Sequence, residues 1–270
     1  MSIYKSDVPE LVRIALDSII NQTRVPDEIV IVGDGPVPEE LEKVVKDYIS
    51  DSPNEKKTDV RYLPQEKNRG LGEALRIAVE NAKYDYLARM DSDDISLPDR
   101  FEKQMRCFEE DEELSLVGGM ITEFVNTPDH VVNKRILPLE DVEIKRFMRS
   151  RCGVNHVTVI FKKADLLRAG NYRSDYRQED YYLWARMMKT GCKFKNIPDV
   201  VVNVRSGYDQ FARRSGWSYY KDHCAIFKYM YHEGLITMPR LMYNYLVRGV
   251  VQFIMPNSLR TWTYQHLLRK

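Results

Sequence analysis

No run of about 18 or more uninterrupted apolar residues occurs in this chain of 270 residues, so a helix crossing a bilayer is not expected. Asp7, Glu10, Arg13 and Asp17 fall where a secretory leader would be apolar, and a cytoplasmic location is the expectation. Cysteine is sparse. Cys107, Cys152, Cys192 and Cys224 form no C-x-x-C pair and have no histidine at zinc-finger spacing, which argues against a disulfide framework or structural zinc and for reduced thiols. Acidic residues stop at Glu233. Beyond it Arg240, Arg248, Arg260, Arg269 and Lys270 stand among Leu241, Met242, Leu246, Phe253 and Trp262. That mixture suits either a helical tail packed on its own domain or peripheral contact with an anionic membrane face. Elsewhere acids balance bases and no basic stripe forms, so nucleic acid is not an expected partner.

With 43% apolar and 30% charged residues, the composition is that of an ordinary globular protein, long enough for one large α/β domain and a tail. Strand and helix signals alternate, which argues a sheet covered by helices. Asp7, Pro9 and Glu10 predict an N-cap, a first-turn proline and a capping-box acid opening a helix through Leu11, Leu16 and Ile20. Strands are expected at 28–32, 60–63, 84–90, 114–125 and 154–161, and helices at 72–82 and 142–149. Met1-Ser2-Ile3-Tyr4 leaves little room for a strand before the first helix, since a buried strand needs about five residues. A shortened first strand is therefore expected.

The strand at 84–90 runs into Asp91-Ser92-Asp93-Asp94. Three carboxylates in four residues repel one another unless a cation sits among them. Oxygen ligands of this kind select Mg²⁺ or Mn²⁺, ions that complete their coordination with water and substrate phosphates. The plainer reading is an acidic turn capping the helix that follows. Glu179 and Asp180 open another helix, where acids also complement the dipole.

Six segments occur in order along the chain: Ser2-Ile3-Tyr4-Lys5, Gly33-Asp34-Gly35, Asn68-Arg69-Gly70-Leu71-Gly72, Arg89-Met90-Asp91-Ser92-Asp93-Asp94, Asn155-His156-Val157-Thr158-Val159 and Glu179-Asp180-Tyr181-Tyr182-Leu183-Trp184. Together they resemble the inverting family-2 glycosyltransferases, within them most closely the enzymes of bacterial exopolysaccharide assembly of the amylovoran and colanic acid type. The resemblance covers residues 1 to about 215. It implies a GT-A fold, a Rossmann-like mixed sheet with helices on both faces. A catalytic domain at 1–212 is then followed by a helical extension at 213–270.

The resemblance also implies a site. Tyr4 would lie against the nucleobase and Asp34 would bond the base edge. Asn68, Arg69, Gly70 and Gly72 would bring backbone and charge to the nucleotide. Asp93 would be the direct ligand of Mn²⁺ or Mg²⁺, Asp91 would reach the ribose or the metal's water shell, and Asp94 would support both. Asp180 would be the catalytic base with Glu179 beside it, and Asn155 and His156 would lie near the sugars. Apart from the resemblance, Arg205, Arg213 and Arg214 follow the last expected strand, where a basic loop closing over the diphosphate and plain surface solvation are both open readings. The implied donor is a nucleotide sugar, with UDP expected, and the implied acceptor a glycan or lipid-linked oligosaccharide.

Two positions depart from the family pattern. Gly33 precedes Asp34 where two adjacent aspartates are common, and Ser206, Gly207 and Tyr208 stand where a histidine often follows the arginine matching Arg205. Other readings stay open. Gly70-Leu71-Gly72 resembles the start of a dinucleotide fingerprint, but Leu75 occupies the third glycine position. A sugar nucleotidyltransferase would carry a glycine-rich basic loop near its start, and none is visible. A sugar-nucleotide or glycan binding subunit without turnover is the third alternative.

Overall fold

The computed structural model describes residues 1–50, 58–206 and 216–254. In chain order the elements are β1 (Ser2–Ile3), α1 (Pro9–Ile20), β2 (Glu28–Gly33), α2 (Glu39–Ser50), β3 (Asp59–Pro64), α3 (Leu71–Asn81), β4 (Tyr86–Ala88), β5 (Ile95–Ser96) and α4 (Arg100–Glu110). They continue with β6 (Leu114–Phe124), β7 (Val131–Arg135), α5 (Asp141–Met148), β8 (Ile160–Lys162), α6 (Lys163–Arg168), α7 (Glu179–Lys189), β9 (Lys193–Arg205), α8 (Trp217–His232) and α9 (Met238–Gly249).

The strands make a parallel sheet in the order β1-β2-β3 and a mixed sheet in the order β4-β8-β6-β9-β5, with β7 paired to β6. The expected short first strand is two residues long, Ser2 beside Val32 and Ile3 beside Gly33. Where the sheets part, Met1, Val30, Leu87 and Arg89 help line a cavity of about 370 Å³.

β6 is apolar almost throughout because it is covered on both faces. Successive side chains of a strand point to opposite sides. Accordingly Val117 packs with Leu16, Ile31 and Phe108, while Leu116 packs with Phe161, Trp184 and Phe227. Helices therefore lie on both faces, as the alternation of signals required.

Two expectations are corrected. Asp7 is not the cap of α1: Val8 holds the N-cap position, and the Asp7 carboxylate instead accepts the Tyr4 amide at 3.1 Å. The segment 154–161 is not one strand. A 3-10 turn at His156–Thr158 interrupts it, because the Thr158 hydroxyl and amide both donate to the Asn155 carbonyl, at 2.8 and 3.0 Å. Such local bonding by threonine competes with a sheet ladder.

Candidate active site

β4 ends in a turn whose acids point in different directions. Asp91 accepts Arg89 Nη1 at 2.6 Å, and its other carboxylate oxygen meets Arg89 Nη2. Asp94 points inward, is 1% exposed and accepts the Arg205 amide at 2.8 Å, which fastens the turn to the end of β9. Burial, then the charges of Asp91 and Asp93, hold the Asp94 carboxyl well above the usual range. Asp93 is exposed at the tip, and partial desolvation followed by the charge of Asp91 raises its pKa too.

Beneath the turn lies a buried polar network that periodicity did not reveal. Arg100 Nη2 donates to the Arg89 carbonyl at 2.8 Å, and its Nε donates to Gln104 at 3.1 Å. Gln104 in turn donates to the Val117 and Thr158 carbonyls, both at 2.8 Å. Burial, then the charge of Arg89, pushes the Arg100 guanidinium down to about 9. The signal was available in the sequence. Arg100 and Gln104 share the face of α4 that carries Phe101, Cys107 and Phe108.

The first turn of α7 supplies the facing wall. Burial, then the neighbouring Asp180, pushes the Glu179 carboxyl up to about 8, and the charges of Arg89 and Asp91 both reach it. Burial raises the pKa of Tyr172, with the charge of Arg89 opposing the rise and those of Asp180, Glu179 and Asp91 adding to it. The Tyr172 hydroxyl is 2.8 Å from His156 Nε2, and His156 sets its ring edge-on to Trp184 at 5.8 Å between centroids. Burial and the charge of Arg89 hold His156 neutral. Asn155 donates to the Gly119 carbonyl at 2.9 Å, while its buried Oδ1 has no partner among the described residues. Nothing in the sequence singled out Tyr172.

The remaining positions gather at the end of β2. Asp34 accepts the amides of Arg69 at 2.7 Å and Gly70 at 3.0 Å, and its carbonyl accepts the Asn68 side chain at 3.2 Å. Gly70 has φ of +89°, a conformation glycine adopts without strain, and opens α3 with free space where a side chain would stand. Gly72 is different: a Cβ there would meet the Arg173 carbonyl at 3.1 Å, so its small size serves packing within the protein. Tyr4, 41% exposed, follows β1 beside Asp34, whose amide donates to the Ile3 carbonyl at 2.8 Å. Burial raises the Asp7 carboxyl, and Ser92 of the acidic turn is the first group to counter that rise. The Arg69 side chain leans on Glu73 at 3.8 Å. Arg205 lies across Phe124 at 4.7 Å and donates to the Asn126 and Asp93 carbonyls, so it is part of the turn's support. Arg213 and Arg214 lie outside the described residues, as do Gly207 and Tyr208.

The residues present fit a divalent cation held jointly with a substrate. Asp94 is spent inward, and no group of three His, Cys, Asp or Glu among the described residues forms a ready-made cage. Asp93 remains exposed as a hard oxygen ligand, and Asp91, paired with Arg89, adds a second carboxylate two residues away whose repulsion of Asp93 a cation relieves. Mg²⁺ and Mn²⁺ are bound in this way, through one or two carboxylates with water and phosphate completing the shell.

Residues 1–169 match the family model described as glycosyl transferase family 2. The whole chain is 36% identical to a Haemophilus influenzae glycosyltransferase, across 98% of that protein. Over 98% of its length it is 35% identical to the amylovoran biosynthesis glycosyltransferase AmsE of Erwinia amylovora, across 96% of that protein. It is 30% identical over its whole length to the Escherichia coli UDP-Gal:alpha-D-GlcNAc-diphosphoundecaprenol beta-1,3-galactosyltransferase, across 95% of that protein. Among solved structures, S. aureus TarS 1-349 in complex with UDP-GlcNAc superposes with TM-score 0.66 at 15% identity, over 97% of this chain and 74% of that one. The Pyrobaculum calidifontis mannosyltransferase in complex with GDP-Man and Mn²⁺ superposes with TM-score 0.60 at 15% identity, over 98% of this chain and 82% of that one. The fold is that of the GT-A glycosyltransferases.

Proposed function

The chain belongs to glycosyl transferase family 2, and from that premise we propose that it moves a sugar from a UDP-sugar to a hydroxyl of a lipid-linked glycan, with inversion, in bacterial surface polysaccharide synthesis. The observation that carries this reading is the packing that ties the acidic turn to the acidic start of α7: Arg89, paired with Asp91, donates its amide to the Val159 carbonyl at 2.9 Å, and His156 beside it meets the Tyr172 hydroxyl at 2.8 Å and Trp184 of α7 edge-on at 5.8 Å. The names of two relatives support the donor, the acceptor and the pathway class.

Each residue then has a task. Asp93 would hold Mn²⁺ or Mg²⁺ together with the donor diphosphate, with Asp91 at the metal or its water shell. When bound, the ion supplies positive charge against the departing phosphate oxygens. Tyr4 lies against the base. Asp34 keeps Asn68, Arg69 and Gly70 in place so that their backbone meets the nucleotide. Asp180 accepts the proton of the acceptor hydroxyl as its oxygen bonds to the anomeric carbon and the bond to the diphosphate breaks. An α-linked donor gives a β-linked product and UDP, with no covalent enzyme intermediate. Glu179 holds a proton beside Asp180, which lowers repulsion within the pair. Asn155 and the neutral His156, braced by Tyr172, border the sugars.

In this reading 1–212 carries the chemistry and 213–270 serves the acceptor side, where the lipid is. The test is UDP release from a panel of UDP-sugars with a diphosphate-linked lipid acceptor, with Mn²⁺ and with EDTA. Metal-dependent release that requires the acceptor supports the reading. Tight UDP-sugar binding without product would reduce the protein to a binding subunit.

A further inference from the structure

A surface outside the cleft combines apolar area and charge in a way the transfer step does not require. Along α9 and the turn that continues it, Met238, Met242, Leu246 and Val250 recur every fourth residue, and Phe253 follows. Residues so spaced share one helix face. They are 47%, 57%, 69%, 37% and 52% exposed. The other face of the helix is the anchored one. Leu241 and Asn244 are buried, Asn244 donates to the Arg149 carbonyl at 2.8 Å, and the Tyr245 hydroxyl donates to the Cys224 carbonyl at 3.2 Å. Trp217, 60% exposed, stands 5.6 Å from the Phe253 ring and extends the apolar face onto α8.

The charge around this face is mainly positive. From 234 to the end of the chain there is no Asp or Glu. Between α5 and α9 runs an open groove of about 520 Å³ lined by Arg146, Arg151 and Arg240, with Glu143 the one acid in its wall. Arg151 stacks on Phe147 at 4.4 Å, and its buried Nη1 has no partner among the described residues. Burial, then the charges of Arg135 and Arg248, lower its pKa. An anion in the groove would satisfy that nitrogen. A second copy of the chain fits less well. A two-fold contact through α9 would set Arg240 and Arg248 near their own counterparts, with no acid on the helix to pair them.

We propose that the exposed face of α9 and the arginine groove against α5 form one docking surface for an anionic lipid bilayer, the apolar stripe entering the headgroup layer and the arginines meeting lipid phosphates. Its biological sense rests on the reading of a lipid-linked acceptor, whereas its physical basis is separate from the cleft. An interfacial helix of this kind binds by buried apolar area plus attraction to anionic lipid.

Flotation of the full chain with phosphatidylcholine vesicles, with and without phosphatidylglycerol, tests it. Binding is expected to the anionic vesicles and to weaken with salt. Arg146→Ala with Arg240→Ala is expected to weaken it by roughly fivefold for each charge removed, and Leu246→Glu to abolish it. Transfer to a water-soluble acceptor is measured in parallel and is expected to stay unchanged in both variants. A loss of transfer with vesicle binding intact would therefore strike at the catalytic reading alone. Equal binding to neutral and anionic vesicles, no binding to either, or a dimer in sedimentation that Leu246→Glu dissociates would overturn the docking surface.

Discussion

Asp93 and Asp94 are neighbours with opposite fates. Asp94 turns inward to the Arg205 amide, whereas Asp93 stays exposed at the tip. Asp93→Ala is therefore expected to lower UDP affinity at least roughly tenfold in Mn²⁺ and to leave it unchanged in EDTA, measured by titration calorimetry. Equal loss in both conditions would deny Asp93 a role through the metal. Glu179 gives a pH signature. Its pKa rises from an ordinary 4.5 to about 8 through burial and Asp180. The folded chain keeps this proton while the unfolded chain has released it, so stability falls as pH rises from about 4.5 to about 8. Glu179→Gln removes that loss. Its Tm is expected to gain on the parent between pH 5 and pH 8, and parallel curves would contradict the shift. Spacing identified the acids at both walls because charge clusters at element ends are visible along a chain. Arg89 and Tyr172, which join the walls, were not legible as such, because their roles come from non-local contacts.

Among the elements, α4 has the strongest hidden constraint. Gln104 donates to two buried carbonyls, on β6 and at the 3-10 turn. Gln104→Leu leaves both without it and is expected to cost about 2–4 kcal/mol in urea unfolding. A cost below about 1 kcal/mol would mean that the network relaxes around the change. Amphipathic helices were legible: α3 and α5 lie within a residue or two of their predicted spans because a 3.6-residue period is a repeated signal. The short elements were not. β5 is two residues, fixed by pairing Ile95 with Asn203 across more than a hundred positions, and no local pattern announces such a partner. The interruption at 156–158 was missed because Val154, Val157 and Val159 read as a strand, while Thr158 and Asn155 close a turn through their own bonds.

For the whole molecule, the packing crosses the division proposed at 212. Ile226, Phe227 and Met230 are fully buried in the cluster that holds Leu183 and Trp184, and Tyr181 meets Phe227 edge-on at 6.2 Å. Burying three such side chains stabilises by roughly 5–9 kcal/mol, comparable to the net stability of a domain. A chain ending at 212 is therefore expected to lose cooperative unfolding by circular dichroism, and a truncated chain with the parent's Tm would place the core elsewhere. The tail's composition pointed to a helical packed segment or a membrane face. α9 has both a buried side and an exposed apolar side.

Binding and turnover measured together on Asp180→Asn test the catalytic assignment most directly. UDP and Mn²⁺ are expected to bind the variant as they bind the parent, while transfer from the UDP-sugar falls by roughly 10²–10⁴-fold. Transfer at the parent's rate, with nucleotide binding intact, would contradict Asp180 as the group that takes the acceptor's proton.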